Sequence, residues 1–498
     1  MTETRNRAST IQGTSAPATS APAKSAIPGV SPETGAGAVH ASVLDAIGRT
    51  PLIRLARLDA GLPAAVYLKA EFLNPGMSVK DRAALSMVLA AEEAGMLPPG
   101  GVIVEGTSGN TGIGLAIVAA QRGYRAVTVL PDKTSPDKLA VLRAYGAEVV
   151  VTPSGLPAEH PRHVRNLARR IAEETPGAWL ADQYDNPANP RAHVETTGPE
   201  IWRQTEGRIT HFVAGIGTGG TISGTGGHLK RVSGGAVRVI GADPATSVYG
   251  GGDGSPYAVE AIGHYLHPET VRDDWPTSYA VDVVDRIERI GDRESIETAH
   301  RLAREEGLLV GGSSGTAVAA ALRVAREAAP GDLVVVVAPD SGRSYLSTYF
   351  NDDWLLATGF RDGDGTARTL GELAAPAGPP AVVRAGAAAA EARAVLGSQE
   401  RTALVVLDRA GAATDSWAPG DVVGSVSSSA LIGLADDEPI AARVRPPLRS
   451  AGVGETPAAV LDRLPPDQDW IPVLREGRCV ALVPRAAVAV LAAAPFEG

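Results

Sequence analysis

Short apolar runs alternate with stretches of mixed polarity through the first two thirds of the chain. Continuous Val, Ile and Ala at 102–105, 126–130, 148–152, 211–216, 237–241 and 333–338 predict strands. Between them, 113–122, 136–145, 162–174, 190–204 and 294–306 predict helices. Strands that stay apolar at successive positions are buried on both faces, the mark of a parallel sheet covered by helices. The predicted fold class is therefore α/β. Ligands of such sheets bind beyond the carboxyl ends of the strands, and two glycine-containing turns, 107–112 and 217–221, fall at that kind of position.

The pattern differs at both ends. Residues 1–38 are mostly Ser, Thr, Ala and Pro, too poor in large apolar groups to offset ordering entropy, and predict a disordered tail. They hold no apolar h-region of a signal peptide, and Glu3 and Glu33 count against a transit peptide. After Gly359-Phe360 the composition shifts again, and the Gly-, Ala- and Pro-rich stretch 361–380 reads as a linker. Beyond it a weak repeat runs as helix 391–396, strand 403–407, strand 422–426 and helix 427–434. It recurs as 457–464, 470–474, 479–483 and 484–491. Two β–β–α copies predict a paired regulatory module; a single α/β appendage is the alternative. The expected division is a tail at 1–38, a main domain at 39–360, a linker at 361–380 and the module at 381–498.

Composition narrows the function classes. With 44% hydrophobic and 20% charged residues the chain is globular, and a formal charge of −10 offers no basic surface for nucleic acid. No apolar run reaches the roughly eighteen residues that a membrane span needs. The single cysteine, Cys479, excludes an intrachain disulfide and a cysteine-rich zinc site. A cytoplasmic protein without a metal centre is expected.

Candidate chemistry concentrates between Pro75 and Gly112. Lys80, in Ser78-Val79-Lys80-Asp81-Arg82, precedes a predicted helix. Such a lysine is ordinarily a solvated charge, but lysine is also the side chain that makes carbonyl adducts, with pyridoxal phosphate or with substrates. The turn Thr107-Ser108-Gly109-Asn110-Thr111-Gly112 opens a helix, where backbone N–H groups and small hydroxyls suit a carboxylate. Gly217, Thr218, Gly219, Gly220 and Thr221 follow a strand, and such a turn is either structural or an anion nest. It lacks the Gly-Lys-Ser/Thr end of a P-loop, and Ile222 occupies the third glycine position of a dinucleotide fingerprint. A monophosphate fits better. Gly311-Gly312-Ser313-Ser314-Gly315 offers a helix cap, or a neutral hydroxyl for a cofactor ring nitrogen. A hydroxyl does not hold a pyridine nitrogen protonated as a carboxylate does, which favours β-elimination and replacement.

These four motifs, in this order and spacing, resemble the β-family (fold type II) of pyridoxal-phosphate enzymes over roughly residues 43–358, within it the cystathionine β-synthases and cysteine synthases. The resemblance implies a two-subdomain α/β fold with pyridoxal 5′-phosphate on Lys80, which also takes the substrate α-proton. It implies Asn110 at the cofactor 3′-oxygen, Gly217 to Thr221 at the phosphate and Ser313 at the pyridine nitrogen. Thr107, Ser108, Thr111 and Gln183 would hold the substrate carboxylate, with Tyr184 beside them.

Asp182-Gln183-Tyr184, the stretch 352–360 and a C-terminal module similar to paired CBS domains favour the cystathionine β-synthase branch. That branch implies an aminoacrylate formed from L-serine or an activated serine, to which homocysteine adds to give L-cystathionine. The alternatives are cysteine synthase, using O-acetylserine and sulfide, a specialised enzyme with another nucleophile, and a ligand sensor without turnover. Retained Lys80, Asn110 and Ser313 argue against the sensor. Small amino-acid and thiol substrates and a homodimer or homotetramer are implied, and no haem, because the tail has no cysteine. Departures from the family pattern are Gly106 for proline, Ala261 for glycine followed by His264, and Ala430 and Ala487 where adenosyl-binding CBS domains carry acids. Pro484 also replaces a hydroxyl residue.

Overall fold

Strand pairing divides the predicted parallel sheet into two. The computed structural model describes residues 39–397, 401–407 and 417–495, so the tail expected over 1–38 lies outside the described residues. In chain order the strands are β1 (Leu52–Arg54), β2 (Ala65–Ala70), β3 (Val102–Gly106), β4 (Arg125–Pro131), β5 (Glu148–Thr152), β6 (Ala178–Leu180), β7 (His211–Gly215), β8 (Arg238–Pro244), β9 (Arg286–Ile290) and β10 (Leu333–Ala338). The larger sheet runs β1-β2-β10-β7-β8-β9 and the smaller β5-β4-β3-β6. Only the β1–β2 pair is antiparallel. The six predicted strands all form. β1, β2, β6 and β9 were not anticipated, because they are short or interrupted by charge, as Arg-Ile-Glu-Arg-Ile is in β9.

The helices are α1 (Lys80–Glu93), α2 (Asn110–Arg122), α3 (Pro136–Ala144), α4 (Val164–Glu174), α5 (Ala188–Ala192), α6 (Gly198–Gln204), α7 (Gly220–Val232), α8 (Asp292–Glu305) and α9 (Gly312–Glu327). The single helix expected over 190–204 is three pieces: α5, a π turn at His193–Thr197, and α6. Pro199 has no N–H to bond the carbonyl four residues back, and Gly198 N–H instead reaches five back to His193 O. Alanine-rich α9 lies in the core with Val66, Leu68, Val334 and Val336 of β2 and β10. Among the described residues no helix is long and apolar enough to cross a membrane.

Four charges are buried together beneath α1. Arg82 of α1 bonds Glu71 (Nε–Oε2 2.8 Å) and Glu200 of α6 (Nη2–Oε2 2.7 Å), and Lys69 of β2 bonds the same Glu200 oxygen at 2.8 Å. None of these side chains is more than 8% exposed. Burial pushes the Glu200 carboxyl up, but Arg82 and Lys69 outweigh it and hold it at about 2. The network fixes the first turn of α1, and so the placement of Lys80.

The C-terminal residues form two three-stranded sheets, β11 (Val382–Arg384), β12 (Thr402–Val406) and β13 (Val422–Ser427), then β14 (Ala451–Gly452), β15 (Trp470–Arg475) and β16 (Arg478–Pro484). In each, the first strand is parallel to the second and the second antiparallel to the third. The repeat is thus β–α–β–β, with helices Ala389–Leu396 and Pro457–Arg463 after the short first strands. The helix expected over 427–434 is reduced to a 3₁₀ turn, Ser429–Leu431, since a serine run followed by Gly433 at φ 85° is poor helix material. The stretch 361–380, expected as a linker, contains a helix, Gly371–Ala377. Leu370 and Ala374 lie in one core with Ala451, Val460 and Ile471, so this stretch belongs to the second copy.

Arg82→Met should cost about 3–5 kcal/mol, because it leaves Glu71 and Glu200 buried without their main partner. Glu200 titrates at about 2 in the fold against 4.5 ordinarily, so its stabilisation is present above pH 4.5 and lost as pH falls towards 2. Denaturant melts across that window should show a pH slope that shrinks in Arg82→Met; an unchanged slope would detach Glu200 from Arg82.

Candidate active site

The carboxyl ends of β7 and β10, the start of α2 and the residues before α1 converge on one cavity. Val79 N–H donates to Pro339 O at 2.7 Å, beyond β10, and sets Lys80 at the cavity wall. Burial lowers the Lys80 ammonium to about 8, against the opposing pull of Asp340 and Glu105. About a tenth of such amines are free at pH 7. Asn110, Gly217, Thr218, Gly219 and Thr221 line the same cavity, over Ala214, Val337 and Pro339.

The glycine turn is a cradle with no room for side chains. A Cβ on Gly219, at φ +83°, would lie 2.3 Å from Tyr279 Cβ; one on Gly220 would lie 2.2 Å from Asn189 Oδ1, and one on Gly217 2.8 Å from Ala261 O. Thr218 Oγ1 accepts from Asn189 Nδ2 at 3.0 Å. α7 starts at Gly220, so its unpaired first N–H groups and positive dipole end suit an anion.

Asn110 and Ser313 both turn to a residue that sequence reasoning missed. Asn110 Nδ2 donates to Asp340 Oδ2 at 2.7 Å, Tyr345 OH donates to the same oxygen at 2.5 Å, and Ser313 Oγ lies 3.5 Å from Asp340 Oδ1. Ser313 is fully buried and, unlike Asn110, is not part of the cavity wall. Burial raises the Asp340 carboxyl, with Lys138 pulling the other way. Its signal was present: Pro339-Asp340-Ser341 directly follows the strand predicted over 333–338.

On the α2 loop, Thr107 Oγ1 accepts from Gly109 N at 3.0 Å, while Ser108 is exposed. Thr111 Oγ1 donates to Gln183 Oε1 at 2.6 Å, and Gln183 Nε2 donates to Glu105 Oε1 at 3.0 Å. Glu105, also missed, is raised to about 8 by burial and by Asp182. Tyr184 stands apart from the cavity, in a crevice with Glu105 and Arg165, whose guanidinium lies 4.9 Å from its ring. His264 pairs with Asp273 at 2.6 Å, away from the cavity.

The family profile described as pyridoxal-phosphate dependent enzyme matches residues 43–340. The chain belongs to this family. Cystathionine beta-synthase of Apis mellifera is 43% identical over 320 residues, which span 64% of this chain and 63% of that protein. The chain therefore matches less than two thirds of that relative's length. Cysteine synthase 1 of Neurospora crassa is 45% identical over 320 residues, 62% of this chain and 83% of the relative. The crystal structure of O-ureido-L-serine synthase superposes with a TM-score of 0.57 at 41% identity, covering 63% of this chain and 96% of that one. The two-sheet arrangement is thus the fold type II architecture of these pyridoxal-phosphate enzymes.

The residues present fit this cofactor. An aldehyde needs an amine, which Lys80 would supply, and a phosphate needs donors close to backbone, which the glycine cradle would supply. Bound pyridoxal phosphate contributes an electron sink for charge at an amino-acid α-carbon. Two departures from the family pattern have physical reasons or costs. A Cβ at Gly106 would lie 2.8 Å from Val164 O, so α4 packs where a larger residue would stand. Ala261 lines the cavity at φ 72°, a left-handed conformation costing an alanine roughly 1–2 kcal/mol.

Borohydride treatment of the cofactor-loaded protein followed by peptide mass analysis should place a pyridoxyl group on Lys80. Modification of any other lysine would remove Lys80 from the covalent role.

Proposed function

We propose that the chain catalyses β-replacement on L-serine or an activated serine, with homocysteine adding to give L-cystathionine. The observation that carries this reading is a buried amine, Lys80 at about 8, in the same cavity as a phosphate cradle. A base titrating near the working pH both accepts and returns a proton efficiently, which suits Lys80 to the substrate α-carbon. Gly217, Thr218, Gly219, Gly220 and Thr221 hold the phosphate, Asn110 the 3′-oxygen, and Ser313 the ring nitrogen after its hydroxyl leaves Asp340. Thr107, Ser108, Thr111 and Gln183 take the substrate carboxylate, whose oxygen replaces Gln183 as the acceptor for the Thr111 hydroxyl. Glu105, at about 8, is neutral at pH 7 and does not repel that carboxylate. The resemblance puts Tyr184 beside this subsite, a role its ring takes only by leaving the crevice it shares with Arg165.

Cysteine synthesis from O-acetylserine and sulfide is the second reading. Ala261 on the cavity wall favours it, since a residue larger than glycine in that segment leaves less room for a large nucleophile. Assays pairing serine or O-acetylserine with homocysteine or sulfide decide between them. Cystathionine from serine and homocysteine is expected, and turnover of O-acetylserine with sulfide alone would establish the second reading. Lys80→Ala should cut turnover by several orders of magnitude, each tenfold step being about 1.36 kcal/mol of barrier; a loss below tenfold would contradict the double role.

The resemblance further supports a cytoplasmic homodimer or homotetramer, with residues 39–360 catalytic and 381–498 a degenerate CBS pair. Ala430 lies in a 3₁₀ turn and Ala487 in the helix Arg485–Ala493, so neither position presents a carboxylate. A ribose hydroxyl left there without an acceptor costs on the order of 1–3 kcal/mol, roughly tenfold to a hundredfold in affinity. Calorimetric titration of the full chain with S-adenosylmethionine should show weak binding or none, and a micromolar dissociation constant would mean other groups replace the acids.

A further inference from the structure

His193 has no part in the chemistry above, yet it is fully buried between two hydroxyl groups. Its Nδ1 lies 2.9 Å from Thr197 Oγ1, and its Nε2 lies 3.2 Å from Thr221 Oγ1. The fold builds this approach. The π turn His193–Thr197 carries both the ring and Thr197. Gly224, one helical turn past Thr221, lets that segment close on α7: a Cβ there would lie 2.2 Å from Pro190 O and 2.8 Å from His193 Cβ. Thr221 itself lines the cavity that holds Lys80.

Burial, with Arg82 and Lys80 acting the same way, lowers the imidazole to about 3, although Glu71 and Glu200 pull it up. The ring is therefore neutral at pH 7, with one nitrogen donating and the other accepting. Only two arrangements satisfy both hydroxyls. With the proton on Nδ1, the ring donates to Thr197, and Nε2 takes the Thr221 proton. Thr221 then shows only lone pairs to the cavity, which repel an anion. With the proton on Nε2, Thr197 donates to Nδ1, the ring donates to Thr221, and the Thr221 proton is free to point outward. The two arrangements hold the same number of protons and differ in the ring tautomer and the two hydroxyl rotors.

We propose that His193 is a positioning residue whose Nε2–H tautomer donates to Thr221 and turns the Thr221 hydroxyl proton onto the cofactor phosphate. This rests on the reading that Thr221 faces that phosphate. The histidine touches neither cofactor nor substrate and acts by fixing which way one hydroxyl points.

Nitrogen-15 spectra of the cofactor-loaded protein, labelled at histidine, test the tautomer directly. The ring signals lost in His193→Gln should show a protonated Nε2 and a bare Nδ1; a protonated Nδ1 overturns the proposal. Cofactor affinity measured on the apoprotein supplies the second readout. His193→Gln, which keeps an N–H near the Nε2 position, should stay within about threefold of the parent, and His193→Leu should weaken pyridoxal phosphate binding about tenfold or more. Pyridoxal, which lacks the phosphate, should bind all three proteins alike; an equal loss for pyridoxal in His193→Leu would assign the effect to packing. Thr221→Val separates the two layers. If it binds pyridoxal phosphate as the parent does, the placement of Thr221 at the phosphate is wrong. If it weakens binding while folded His193→Leu does not, the placement stands and the role of His193 falls. Should His193→Leu not fold, the tautomer in the parent protein decides alone.

Discussion

Lys69, Glu71, Arg82 and Glu200 have almost no water to stabilise them, and the site depends on their finding one another. A buried ion pair adds little net stability, but a buried charge that loses its partner is costly. The network therefore discriminates between arrangements more than it adds to stability. Arg82 reaches Glu71 and Glu200 only when α1 and α6 are docked as observed. α1 begins at Lys80, and the π turn leading into α6 carries His193. The amine and the support of the glycine cradle are thus registered against each other through one set of charges.

Around the cavity, burial moves lysine and carboxyl groups in opposite directions, both towards the neutral form. Lys80 comes down to about 8, Glu105 rises to about 8, and Asp340 rises as well. At pH 7 most Lys80 amines still carry their proton, while the Glu105 carboxyl is mostly neutral, so the carboxyl near the cavity adds little negative charge to oppose an anion. Asp340 also alters the picture of the ring-nitrogen hydroxyl. Ser313 is backed by a buried carboxyl that also holds Asn110 and Tyr345, so the two groups proposed at the ring nitrogen and the 3′-oxygen share one anchor.

The C-terminal sheets are docked on the main body. A Cβ at Gly359 would lie 2.2 Å from Leu474 O, Arg293 pairs with Glu476 at 2.7 Å, and Arg478 bonds Ser255 Oγ at 2.9 Å. Gly420 approaches Pro256, where an added Cβ would lie 3.0 Å from the ring. Ser255 and Pro256 belong to the loop that continues to Ala261 on the cavity wall. The module is thus in direct contact with a segment of the active site.

The sequence alone determined what depends on neighbours along the chain. Apolar runs marked the central strands and a glycine turn marked the start of α2, while the roles expected of Lys80 and of Gly217 to Thr221 came from the order of four motifs and not from local pattern. Edge and short strands such as β1, β6 and β9 escaped, because one partner and a half-exposed face impose little pattern. The π turn in place of one long helix, and the helix inside the expected linker, came from packing that no local period records. Asp340, Glu105 and His193 acquire meaning only in three dimensions. Asn110 and Asp340 are separated by 230 positions and His193 and Thr221 by 28, so their hydrogen bonds exist only once the strands and helices between them have folded. Burial decides their protonation, and burial is a property of the whole fold.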